Sequence, residues 1–150
     1  MDVSTAVILL FIILEAGNIF ILYFRPGSKK ANGLGVFNDY EKVKNYPELK
    51  DLVSYLIFWV AGTKLIFIAL LSVIAISGGF RTKTLAVAVM IPSIATFYLK
   101  LYPLIRKMDK ENRISPAGYS RTLFIMISVI IAAFAAALVI SLTAPDVFSF

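Results

Sequence analysis

The stretch from Val3 to Phe24 is apolar except at Ser4, Thr5 and a short interruption, Glu15-Ala16-Gly17-Asn18. At about 1.5 Å of rise per residue, about 21 helical residues cross a hydrocarbon layer of about 30 Å. In lipid such a segment must satisfy its backbone hydrogen bonds internally, and a helix does so. Three further runs have the same character, so the predicted spans cover residues 3–24, 48–77, 83–106 and 119–143. Composition agrees: 59% of residues are hydrophobic and 16% charged, against about 45–50% and about 25% in soluble domains. The sequence predicts one all-α integral membrane domain, a bundle of four transmembrane helices.

The connections add detail. Arg25-Pro26-Gly27-Ser28 stops the first helix. The loop that follows is rich in Gly and Lys, but lacks the G-x-x-x-x-G-K-[ST] spacing of a phosphate loop. It reads as a flexible basic loop under anionic headgroups. Asn38-Asp39-Tyr40-Glu41 has the form of a capping box, with Asn38 as the cap. Phe37, Tyr40 and Val43 then recur at helical spacing, which predicts a short interfacial helix between spans one and two. Pro47 opens the second span and Gly78-Gly79 closes it. Pro92 should kink the third. Ser115-Pro116 suggests an early start for the fourth. Small residues recur every four positions there, at Ser128, Ala132 and Ala136, and let helices approach closely. The tail from Ala144 to Phe150 should leave the membrane with its aromatics at the interface.

Basic residues are divided unequally. The two loops that bracket spans two and three, with their flanks from Arg25 to Lys50 and from Arg106 to Arg121, carry eleven Lys and Arg. The opposite side carries two, Arg81 and Lys83. The positive-inside rule then puts loops 25–47 and 106–121 in the cytoplasm and both termini outside. Lys29, Lys30, Arg106 and Lys107 would lie near anionic lipid headgroups. The split of the net charge of +6 over separate short loops gives no nucleic-acid surface.

Several chemistries are excluded within this chain. It contains no Cys and no His, which removes thiolate metal sites, disulfides, imidazole ligands and histidine bases. Asp2, Asp39, Asp51, Asp109 and Asp146 all lie outside the apolar cores, so no intramembrane carboxylate pair forms from aspartates. Lys64 and Ser93 alone are weak material for a base and a nucleophile. The expectation is a protein that is not an enzyme and has no metal or cofactor.

The polar midpoint carries the functional interest. Glu15 lies about 16 Å from the outer edge of span one, and Lys64 about 18 Å from the inner edge of span two. In a core of about 30 Å their heights differ by about 4 Å, within the reach of a lysine. One unpaired charge at that depth costs about 2.5–3.5 kcal/mol. The inexpensive arrangement is a Glu15–Lys64 pair, with Asn18, Thr63, Ser93 and Thr96 satisfying the remaining donors and acceptors. On the third span Val89, Ser93, Thr96 and Lys100 share one face, polar from the middle toward its end.

In one feature span one resembles the small multidrug resistance transporters: a lone Glu15 in the middle of the first of four short helices, followed closely by Gly17. The resemblance implies that a lone membrane carboxylate can couple protons to solute movement. The chain departs from that pattern at Lys64, a countercharge beside a cation site, and in the long loop before Pro47. Three readings of the midpoint remain: a pair that fixes helix register, a site for a proton, ion or small solute, and a pair with another membrane protein. The first makes the chain a structural or accessory subunit, with a membrane-protein partner or a second copy of itself. The second makes it a transporter.

Overall fold

The computed structural model describes residues 2–31 and 33–144. Its helices are α1 (Val3–Phe24), α2 (Asn38–Val43), α3 (Pro47–Ser77), α4 (Phe80–Ala95), α5 (Leu101–Lys110) and α6 (Tyr119–Thr143). Among the described residues no strand forms, and one antiparallel bridge pairs Phe37 with Ile114. Four segments are long and apolar enough to cross a membrane: α1, α3, the stretch Phe80–Lys110 and α6. The predicted aromatic tail lies outside the described residues.

Local chemistry sets the helix ends. The Asp2 carboxylate caps α1, accepting the Thr5 N–H at 2.7 Å and the Thr5 hydroxyl at 2.9 Å. Pro47 occupies the first turn of α3, where its missing N–H costs nothing. The end of α6 nearest the loops departs from the expectation. Its first residue is Tyr119 and its cap position is Gly118, at φ +83°, a left-handed conformation that favours glycine. Ser115-Pro116 does not cap it. Asp109, at the end of α5, accepts the Gly118 N–H at 3.0 Å, the Ser120 N–H at 3.0 Å and the Ser120 hydroxyl at 2.6 Å.

The third span loses its regular α geometry past Pro92. Pro92 sits inside a continuous α4, which runs on to Ala95. A 3-10 turn, Thr96–Tyr98, follows, and the helix restarts at Leu101. Pro103 accounts for the position of the break. A proline ring excludes the carbonyl four residues earlier, here that of Leu99, and Pro103 itself falls in the first turn of α5, where proline is tolerated.

Packing divides the molecule by height. Near the end where the chain begins, α1 lies among α3, α4 and α6 around one core of Val7, Ile8, Phe11, Leu71, Ala75, Val87, Met90, Phe134 and Ala137. The Ser4 and Ser141 hydroxyls meet there at 2.8 Å, both buried, and tie α1 to α6. Toward the other end the core divides. Leu22, Ile57 and Ala61 hold α1 to α3, while Val36, Ile105, Ile114 and Leu123 join the two long loops to α5 and α6. The outer surface exposes Leu10, Ile13, Phe20, Ile66, Leu70, Ile76 and many other large apolar side chains. That much exposed apolar surface is foreign to a monomer in water and ordinary in lipid.

The loop between α1 and α2 is not the flexible segment its composition suggests. Its backbone folds on itself, with the Leu34 N–H on the Pro26 carbonyl at 2.6 Å and the Gly35 N–H on that of Ser28 at 3.0 Å. A Cβ at Gly35 would collide with the Gly27 carbonyl, so the close approach needs glycine. The capping box at Asn38 does not form either. The Asn38 N–H donates to the Arg113 carbonyl at 2.9 Å and its side-chain amide to that of Asn112 at 3.0 Å. Asn38 becomes the first residue of α2, and Glu41 turns to Lys44 instead.

Candidate functional site

Buried positions on α1 and α3 recur at steps of three and four along one line of each helix. On α1 that line is Ser4, Ile8, Phe11, Ile19 and Leu22, with Thr5 and Val7 buried beside it; on α3 it is Ile57, Ala61, Ile68, Leu71 and Ala75. One member is missing from each series, at position 15 and at position 64. Glu15 and Lys64 stand there. The helices are antiparallel, so each apolar seam is interrupted once and at the same height. This is the spacing of helices that pack with interlocking side chains along a shared seam. Ala61 and Ala75 are small enough to let the two backbones approach.

The two charges meet. The Lys64 ammonium donates to Oε2 of Glu15, and the Asn18 amide donates to Oε1 of the same carboxylate at 3.2 Å. Both carboxylate oxygens therefore have donors. Lys64 has two further N–H groups and donates to no other side chain among the described residues. The Glu15 side chain is 16% exposed and that of Lys64 29%. The pair is thus lodged in the seam, with the Lys64 side chain the more exposed of the two. Close by in sequence, Gly17 and Gly62 have open space where a Cβ would stand.

The structure brings three of the six expected polar residues together and sends three away. The Thr63 hydroxyl donates to the Trp59 carbonyl at 2.9 Å. Ser93 donates to Val89 at 2.8 Å, and Thr96 to the Ser93 carbonyl at 2.6 Å. All three are exposed. The shared face of Val89, Ser93, Thr96 and Lys100 points outward, not toward the pair. A hydroxyl on a helix can satisfy itself on its own backbone one turn earlier, so these residues did not need Glu15 or Lys64.

A second polar region ties the two long loops together. Arg113 Nε donates to Asp39 Oδ2 at 2.6 Å, and Nη1 to Glu111 at 3.1 Å. Lys42 donates to the other Asp39 oxygen at 2.9 Å. The Lys42 and Arg113 hydrogen bonds hold the Asp39 carboxyl below its ordinary value, and Asp39 in turn raises Arg113. No residue of this latch was a site candidate from sequence, because Asp39 and Arg113 lie 74 positions apart. Among the described residues no three His, Cys, Asp or Glu side chains gather as a metal-binding group. Compared with known proteins, the chain matches no family model, no curated protein and no solved structure.

Proposed function

We propose that the chain is a small, non-catalytic, multi-pass membrane protein of structural or accessory type. In this reading the Glu15–Lys64 pair sets the register of α1 against α3. The support is that each charge interrupts an otherwise apolar seam, that the two meet, and that Asn18 takes the remaining carboxylate oxygen. Pairing removes most of the cost of placing either charge among apolar helices. The basic loops 25–47 and 106–121 would face the cytoplasm, with both termini outside. A partner, either another membrane protein or a second copy, would find Ala132 and Ala136 exposed on α6, where small side chains permit close packing.

The partial exposure of Lys64 favours a second reading, a midplane site for a proton, ion or small solute. Chemical labelling separates the two. In proteoliposomes the structural reading expects Glu15 to resist a carbodiimide and its labelling to ignore added cations and pH gradients. Labelling of Glu15 that a solute suppresses, together with a proton-linked flux lost in Glu15→Gln, would replace the structural reading with transport.

A further inference from the structure

Past the irregular turn in the third span, α5 is strongly amphipathic. Leu101, Leu104, Ile105 and Met108 share one side of it, with Ile105 buried against the Val36–Ile114–Leu123 cluster. Arg106, Lys107 and Lys110 lie on the other side, all exposed. Leu101 and Leu104 flank the buried residues and are themselves exposed. α5 continues the third span alongside α6, with Tyr98 on Ser128, Tyr102 on Phe124 and Ile105 beside Leu123, so its basic side stands at the end of that span, where a membrane interface would lie.

A groove of about 460 Å³ runs along α5, lined by Tyr102, Pro103, Arg106, Lys107, Lys110 and Glu111. On one side of it the Tyr102 ring packs on Phe124 with centroids 5.3 Å apart. Three of the lining residues are cationic. Glu111 is the groove's one acid, and Arg113 at 3.1 Å and Lys107 at 3.9 Å already neutralise it. Arg106 and Lys110 have no acidic partner among the described residues. They stand four apart, one turn of helix, so both side chains can converge on one anion.

The geometry points to a headgroup site for an anionic phospholipid on α5, with the phosphate on Arg106 and Lys110 and the glycerol and upper acyl chain along Tyr102 and Pro103. A lipid fits better than a free anion because Tyr102 and Pro103 precede the basic residues along α5, so a phosphate at the end of the span would have its acyl chain beside apolar residues toward the span's interior. A bidentate guanidinium beside an ammonium suits a phosphodiester. The site depends on the chain sitting in a bilayer, as proposed above, but not on the Glu15–Lys64 pair.

The test uses the full chain in nanodiscs of mixed phosphatidylglycerol and phosphatidylcholine, released and weighed by native mass spectrometry. The wild type should retain phosphatidylglycerol selectively. Arg106→Gln and Lys110→Gln should each weaken that retention by about fivefold, the weight of one basic residue near an anionic surface, and Lys107→Gln, whose ammonium lies by Glu111, by less. Removing three charges from the other loop, in Arg25→Gln/Lys29→Gln/Lys30→Gln, should cost less in total than the single change at Arg106 or at Lys110. The substituted residues are exposed, and helical circular dichroism checks that each variant is folded. Equal losses from the two sets would overturn a defined site in favour of diffuse charge, and no selectivity in the wild type would overturn it outright. Displacement of the lipid by inorganic phosphate would reassign the groove to a free anion. Failure of the chain to enter nanodiscs at all would overturn the membrane reading and this site together.

Discussion

Of the ion pairs that fasten the described residues, those at the α1–α3 seam and those at the loop end work under opposite conditions. At the α1–α3 seam, Glu15 and Lys64 lie among apolar helices, with Asn18 the other polar group at the carboxylate. At the loop end, Asp39, Arg113, Glu111 and Lys42 form a branched network in which Asp39 is half-buried and the other three are exposed. The atoms are the same kinds. The difference is the competitor: water and salt can replace every contact in the latch, and nothing apolar can replace Lys64 for Glu15. Charges in the seam are therefore costly when separated, and those in the latch are not. The latch acquires its strength from its neighbours, the Phe37–Ile114 bridge and the Asn38–Arg113 backbone bond.

Substitutions should expose that contrast in graded steps. Glu15→Gln leaves Lys64 unpaired and should lower unfolding free energy in bicelles by about 2.5–3.5 kcal/mol, measured by steric trapping. Asp109→Ala removes the acceptor at the start of α6 and should cost about 1 kcal/mol in the same assay, as loss of a helix cap does. Ser4→Ala breaks the buried hydroxyl contact with Ser141 and should cost about 0.6 kcal/mol, the usual weight of such a bond between membrane helices. Arg113→Gln should leave thermal stability nearly unchanged yet speed hydrogen exchange around Leu34 to Lys44, and added salt should do the same to the wild type. A large loss of stability in Arg113→Gln would erase the contrast between the two regions.

The pH dependence of the latch follows from Asp39. Its carboxyl is held below the ordinary value of 3.8 by Lys42 and Arg113. A depressed carboxylate contributes stability that is present above the unfolded value and lost as pH falls through the folded one. Exchange protection of α2 should therefore hold steady from neutral pH down to about pH 4 and decline below it. Protection that declines near neutrality would mean that Asp39 is not the group responsible.

Much of this was legible in the chain because membrane-length apolar runs leave few alternatives to a helix. The heights of Glu15 and Lys64 could be counted along two such helices, and that count put them within reach. Rotation could not be counted. A helix apolar on all sides carries little period, so the outward face of Ser93 and Thr96 was not readable. Two prolines competed to interrupt the third span, and only the backbone shows that the break precedes Pro103 rather than following from Pro92. Contacts between distant loops were invisible for a different reason. Asn38 has a local capping motif, but Asn112 and Arg113 claim its side-chain amide and its backbone N–H. Asp109 caps a helix from nine residues upstream of Gly118, outside any local capping pattern.

The central claim is that Glu15 and Lys64 stabilise the seam as a pair. A double-mutant cycle of Glu15→Gln, Lys64→Met and the two combined tests it most directly, with unfolding free energy read in bicelles. The account predicts that each single change is damaging and that the double variant recovers most of the loss, because no charge is left stranded. Additive losses, with the double variant as unstable as the sum of the singles, would contradict it.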